Sequence, residues 1–174
     1  MTTAFRRALT LNTLVLAGAM LCGLSFSEPP AAAAPAAAPA AVPERAPGLV
    51  SGAVFVFSRN MIVVGALLLG VCTFGPLTVM TVAWNGYQLG FGFGTLQLAS
   101  PERAMWVGLY VPIEFGALLI ASSAALELSR QLWLTLFHGR DFRPRVGTAL
   151  ALSAVMLAIA AVVEALAARA IARL

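Results

Sequence analysis

The sequence predicts an all-α fold, a polytopic transmembrane helical bundle of about five spans. Of its 174 residues, 60% are hydrophobic and only 10% are charged, and the mean hydropathy is +0.91. A soluble domain carries roughly 25% charged residues, so too few charges remain here to clothe a water-facing surface. Apolar runs long enough to cross a ~30 Å hydrocarbon core recur along the chain. These observations exclude a soluble enzyme. The net charge of +4 and pI near 10.0 do not indicate nucleic acid, because the basic residues are scattered along apolar segments and form no concentrated footprint. All eleven are arginine, a bias without mechanistic content.

The elements follow in chain order. Residues 1–27 begin with Arg6 and Arg7 and continue as an apolar run from Leu9 to Phe26. About 18 residues is the lower limit for a span, so this segment is a first transmembrane helix or a signal peptide, and cleavage would leave four spans. Ser25 and Ser27 are small enough for a cleavage site, but the reading leans to a retained helix. Either way the arginines hold the N-terminus in the cytoplasm. A lipoprotein reading of Cys22 is disfavoured by Leu21, which stands where a small residue is wanted.

Residues 28–48 are an Ala/Pro tract, EPPAAAAPAAAPAAVPERAPG. Repeated proline blocks a helix, and the segment is expected to act as an extended linker. Beyond it, residues 49–174 form a multi-pass membrane domain. Residues 49–57 are a short apolar stretch ended by Ser58, Arg59 and Asn60, read as an interfacial helix or a lead-in. Met61 to Trp84 is expected as one uncharged span containing Gly65, Gly70, Gly75 and Pro76. Trp84 and Tyr87 suit an aromatic belt, and Asn85-Gly86 between them is a turn signal.

Residues 88–100 are short, a brief span or a re-entrant hairpin, and Gly86, Gly90 and Gly94 recur every fourth position and would form a smooth helix face for close packing. Met105 to Leu128 is a span, Ser129 to Arg145 a polar loop rich in arginine, and Val146 to Ala168 the last span. If 88–100 crosses, five spans result, and the N-terminus and the 129–145 loop share the cytoplasmic side, with 28–60 extracytoplasmic.

Candidate functional residues are few. Glu114 lies well inside a span, Glu127 near its end, and Glu164 late in the last span. Burying such a charge in hydrocarbon costs at least ~2.5–3.5 kcal/mol, so each must face the protein interior, find a partner or stay protonated. For Glu114 an interhelical hydrogen bond is weighed above a proton or ion relay. Arg169 is a candidate partner for Glu164. Ala117, Ala121 and Ala125 form one small-residue stripe, and Ala154, Ala158, Ala161, Ala165 and Ala168 another, both suited to tight helix packing. Cys22 and Cys72 form no metal or disulfide pattern. His138 is the only histidine and no nucleophile–base pair is visible, so no catalytic residue, metal or cofactor is expected.

A resemblance comes from particular residues. Asn60, the glycine-bearing segment, Trp84-Asn85-Gly86-Tyr87 with Leu89-Gly90, then Glu114-Phe115-Gly116-Ala117 and Glu164, resemble the stage II sporulation protein M family over about residues 55–168. The family's Pro-His-Gly before the glutamate is not matched. Leu109-Tyr110-Val111-Pro112-Ile113 stands there instead, so the histidine is either lost or replaced by Tyr110. The resemblance implies a membrane partner within a peptidoglycan-remodelling complex, and it singles out Asn60, Asn85, Gly86, Gly90, Glu114 and Glu164. The expected function is a non-enzymatic scaffold that recruits protein partners in the bilayer, with homo-oligomerisation as an option. The rival is a transport or channel component with Glu114 and Asn85 on a polar path.

Overall fold

A computed structural model describes residues 2–27 and 48–172; the linker expectation for 28–48 therefore lies almost wholly outside the described residues. Every regular element among them is helical. The elements are α1 (Thr3–Ser25), α2 (Leu49–Leu69) with a 3-10 turn (Gly70–Thr73), α3 (Pro76–Ala99), α4 (Pro101–His138) and α5 (Gly147–Ile171). Four segments are long and apolar enough to cross a membrane: Thr3–Ser25, Leu49–Thr73, Pro101–His138 and Gly147–Ile171. The 24 residues of α3 contain no charge. Their glycines, together with Asn85, Gln88 and Gln97, dilute the hydropathy without shortening the helix.

The helix boundaries correct two expectations. Met61 to Trp84 is not one span, because the chain turns between Gly70 and Pro76. Phe74 and Gly75 adopt φ of 55° and 110°, values that end a right-handed helix, and Pro76 opens α3 at a position where its missing N–H costs nothing. The apolar stretch from Leu49 is therefore the first half of α2, and the 88–100 segment is the second half of α3. Thr78 Oγ1 donates to Leu67 O at 2.9 Å and closes this bend. Asn85-Gly86 lies in mid-helix, where Asn85 Nδ2 donates to Thr81 O at 2.7 Å. The turn reading fails because its flanking residues already had helical partners.

The polar loop expected over 129–145 is also shorter than expected. α4 runs on through Trp133 to His138, capped by Gly139 at φ 64°. Thirty-eight residues at 1.5 Å each make a rod of about 57 Å, so it outruns any bilayer core.

Packing directions follow from close approaches. Gly86 lies against Leu16 and Ala19, Gly90 against Met20 and Leu24, and Gly94 against Leu24 and Ser27. Position numbers rise together, so α1 and α3 run parallel. A Cβ on Gly90 would overlap the Met20 carbonyl oxygen, and one on Gly23 the Tyr87 carbonyl oxygen. The glycine stripe thus lets two backbones touch, as in membrane helix pairs. α4 and α5 run antiparallel, with Ser153 Oγ donating to Ala117 O at 2.9 Å.

The core joins Ala117 and Ala121 to Leu67, Val64, Val82 and Leu157, and Ala125 is equally buried. The second alanine stripe divides. Ala161 and Ala165 are buried, but Ala158 and Ala168 are exposed, because the contact face of α5 runs through Ser153, Leu157 and Ala160. Cys22 and Cys72 are exposed on the bundle surface, not packed within it.

Candidate functional site: a polar chamber inside the bundle

Four of the sequence candidates converge. α2 supplies Asn60, α3 Asn85, α4 Glu114 and α5 Glu164, and all four line a cavity of about 300 Å³ between these helices. Arg59 and Gln88, both exposed at its open side, and Tyr110 complete its polar wall, and Phe93 and Phe115 its aromatic one. The two carboxylates come from helices that meet antiparallel, which is how residues fifty positions apart share one space. Position in the helices places the chamber in the half of the bundle nearer the α3–α4 turn.

Pairing within the chamber is incomplete. Asn60 is 5% exposed, and its Nδ2 completes no hydrogen bond among the described residues, although Glu114 is its neighbour. Arg59 faces both Glu114 and Glu164 electrostatically. Neither contact closes to an ion pair. Among the described residues the ion pairs are Glu127–Arg130 and Asp141–Arg143, each at 2.8 Å. The expected Glu164–Arg169 pair therefore does not form: Glu164 turns into the chamber, while Arg169 sits exposed one helical turn further on. Pro112 lies inside α4 and has no N–H to offer the Gly108 carbonyl, which loosens the helix between Tyr110 and Glu114.

Gly86 and Gly90 do not join the chamber. They face the opposite way and seat α1. Glu127 is held by its own helix, accepting from Arg130 and Gln131.

A family model for stage II sporulation protein M matches residues 40–169. The chain belongs to the stage II sporulation protein M family. Every chamber residue of this family member falls inside the match, whereas α1 lies before it. No curated protein and no solved structure matches the chain. The chain is a bacterial-type integral membrane protein, as its family and its membrane-length helices indicate.

Sequence reasoning passed over some residues of this family member. Arg59 was read as a helix end, because a charge after nine apolar residues looks like a boundary. Asn12 drew no attention inside α1, yet its Nδ2 donates to Ser122 Oγ at 2.8 Å. An asparagine within an apolar run was the available signal, since a membrane helix carries such a group only towards a partner. Tyr110, in the segment that lacks the family's Pro-His-Gly, lines the chamber.

Proposed function

We propose that the chain is a non-enzymatic membrane subunit that holds protein partners at the bacterial cytoplasmic membrane, in a complex that remodels the cell envelope. The observation that carries this reading is the projection of α4 beyond the bundle. Its last turns expose Trp133, Leu136 and Phe137, and Phe74 from the α2–α3 bend braces Trp133 edge-on at 5.2 Å between ring centroids. Arg140, Arg143 and Arg145 follow directly. An ordered aromatic tip beside arginines has the composition of a protein contact surface. Family membership supports the same reading.

By the positive-inside rule, the arginines at this end, with Arg6 and Arg7 on α1, support a cytoplasmic N-terminus and α4–α5 loop. If all five helices cross, α5 ends outside. Residues 49–60 then belong to the outer half of α2, not to an external loop.

The test is affinity purification of the tagged chain from its native membrane in mild detergent, with mass spectrometry. A stoichiometric envelope hydrolase or membrane subunit, lost with Trp133→Ala, is the expected result. A chain recovered alone as a homo-oligomer overturns the reading.

A second reading, a transport or channel component, is favoured by the chamber itself. Phe93 lines both it and a neighbouring cavity of about 350 Å³ at the α3–α4 hairpin, which supports a route towards that end. Here Glu114→Gln abolishes a flux and leaves assembly intact, whereas the partner-holding role predicts no flux to lose.

A further inference from the structure

We infer that the chamber is a binding site for a primary ammonium group carried beside an anionic group. Its volume of about 300 Å³ sits at the lower end of small-molecule sites, about 300–1,000 Å³, and far exceeds the need of a bare ion. No three metal-ligating side chains gather among the described residues.

The wall specifies the ligand. Glu114 and Glu164 present acceptor oxygens in either protonation state, and when ionised they outnumber the single guanidinium of Arg59 in the wall. A cation answers that charge. An ammonium with three N–H donors suits two carboxylates and the Asn85 side-chain oxygen, and the rings of Tyr110, Phe93 and Phe115 add a surface that favours cations. The opposite requirement comes from α2. Asn60 Nδ2 is a buried donor that lies beside Glu114 yet completes no hydrogen bond among the described residues, and Arg59 forms no ion pair among them. A buried donor left unmet costs about 1–3 kcal/mol, which an anionic oxygen of the ligand removes. Ammonium on the α4–α5 side and anion on the α2 side describe a compact zwitterion.

Two sources present this chemistry: a free amino-bearing solute, and the headgroup of an ethanolamine phospholipid reaching in from the bilayer. The site is a property of the folded chain and stands whether the chain moves a solute or holds a partner. Its test therefore uses binding alone.

The full chain is purified into nanodiscs of phosphatidylcholine and phosphatidylglycerol. In the first arm, phosphoethanolamine is titrated against phosphocholine and inorganic phosphate, read by calorimetry and by the shift in Tm. In the second, phosphatidylethanolamine replaces phosphatidylcholine, and retained lipid is read by native mass spectrometry. Saturable phosphoethanolamine binding, with phosphocholine and phosphate weaker, supports the site with a soluble source. Selective retention of phosphatidylethanolamine supports it with a lipid source. Glu114→Gln and Glu164→Gln keep shape and remove charge, and each is expected to weaken the responding arm by about tenfold or more. Silence in both arms overturns the inference. So does binding that does not distinguish phosphoethanolamine from phosphocholine, a comparison that needs no variant to fold. Equal binding by both glutamine variants overturns it too.

Discussion

Asn12 donates to Ser122 Oγ at 2.8 Å across 110 positions of sequence, and through that bond α1 is tied to the middle of the bundle. Ser123 Oγ lies within reach of the same amide at 3.4 Å. The amide nitrogen is thus matched inside the bundle, while Asn12 Oδ1 is buried with no partner among the described residues.

The first prediction is that α1 stays. Mass spectrometry of the C-terminally tagged chain from native membranes should recover peptides from residues 1–27. A mature chain beginning within 28–48 would show the helix to be a signal peptide. In the retained form, Asn12→Ala should cost about 0.6 kcal/mol and at most about 1.7, the range for interhelical hydrogen bonds in membranes, measured by unfolding in mixed micelles.

Gly90 should be the least replaceable position of the glycine stripe. Gly90→Leu forces the α1 and α3 backbones apart, since even a Cβ there meets the Met20 main chain. A loss of about 1–3 kcal/mol or more is expected. Gly92 has nothing within 4 Å of an added Cβ, so Gly92→Ala should be near neutral. Equal effects at the two sites would argue against a parallel α1–α3 contact.

The two left-handed glycines should also separate. Gly75→Ala, at φ +110° with Leu126 3.0 Å from the new Cβ, is expected to lose about 1–3 kcal/mol. Gly139→Asn, at φ +64° in open space, keeps a conformation that asparagine tolerates and should change Tm little. Thermal unfolding in detergent reads both.

Topology yields a fourth prediction. In a background with both native cysteines changed to serine, Arg143→Cys should react with a membrane-impermeant maleimide only after the cytoplasmic side is opened. Gly48→Cys should react in intact cells after outer-layer permeabilisation. The reverse pattern would invert the proposed orientation.

The helical, multi-span class was legible because hydropathy and charge are sums over long windows. Boundaries inside apolar sequence were not. The bend at Phe74 and Gly75 depends on two backbone angles, and neither the uncharged run around it nor a lone Pro76 distinguishes a kink from a turn. Asn85-Gly86 misled for the same reason, because a turn dipeptide is also compatible with a helix when a neighbouring helix needs the missing Cβ. Glu114 and Glu164 could be singled out by the cost of placing charge in hydrocarbon. That they meet Asn60 and Asn85 in one space depends on helix rotation and register, and Arg59 belongs with them only because the apolar stretch before it is the first half of α2.

α4 carries both ends of this description. Glu114 in the chamber and Trp133 at the projecting tip ride the same helix, separated along its axis by about 28 Å at 1.5 Å per residue. A stiff rod of that kind has no slack between its ends. A force that tilts or twists the tip therefore applies leverage at the chamber wall, and a group that wedges the wall apart swings the tip.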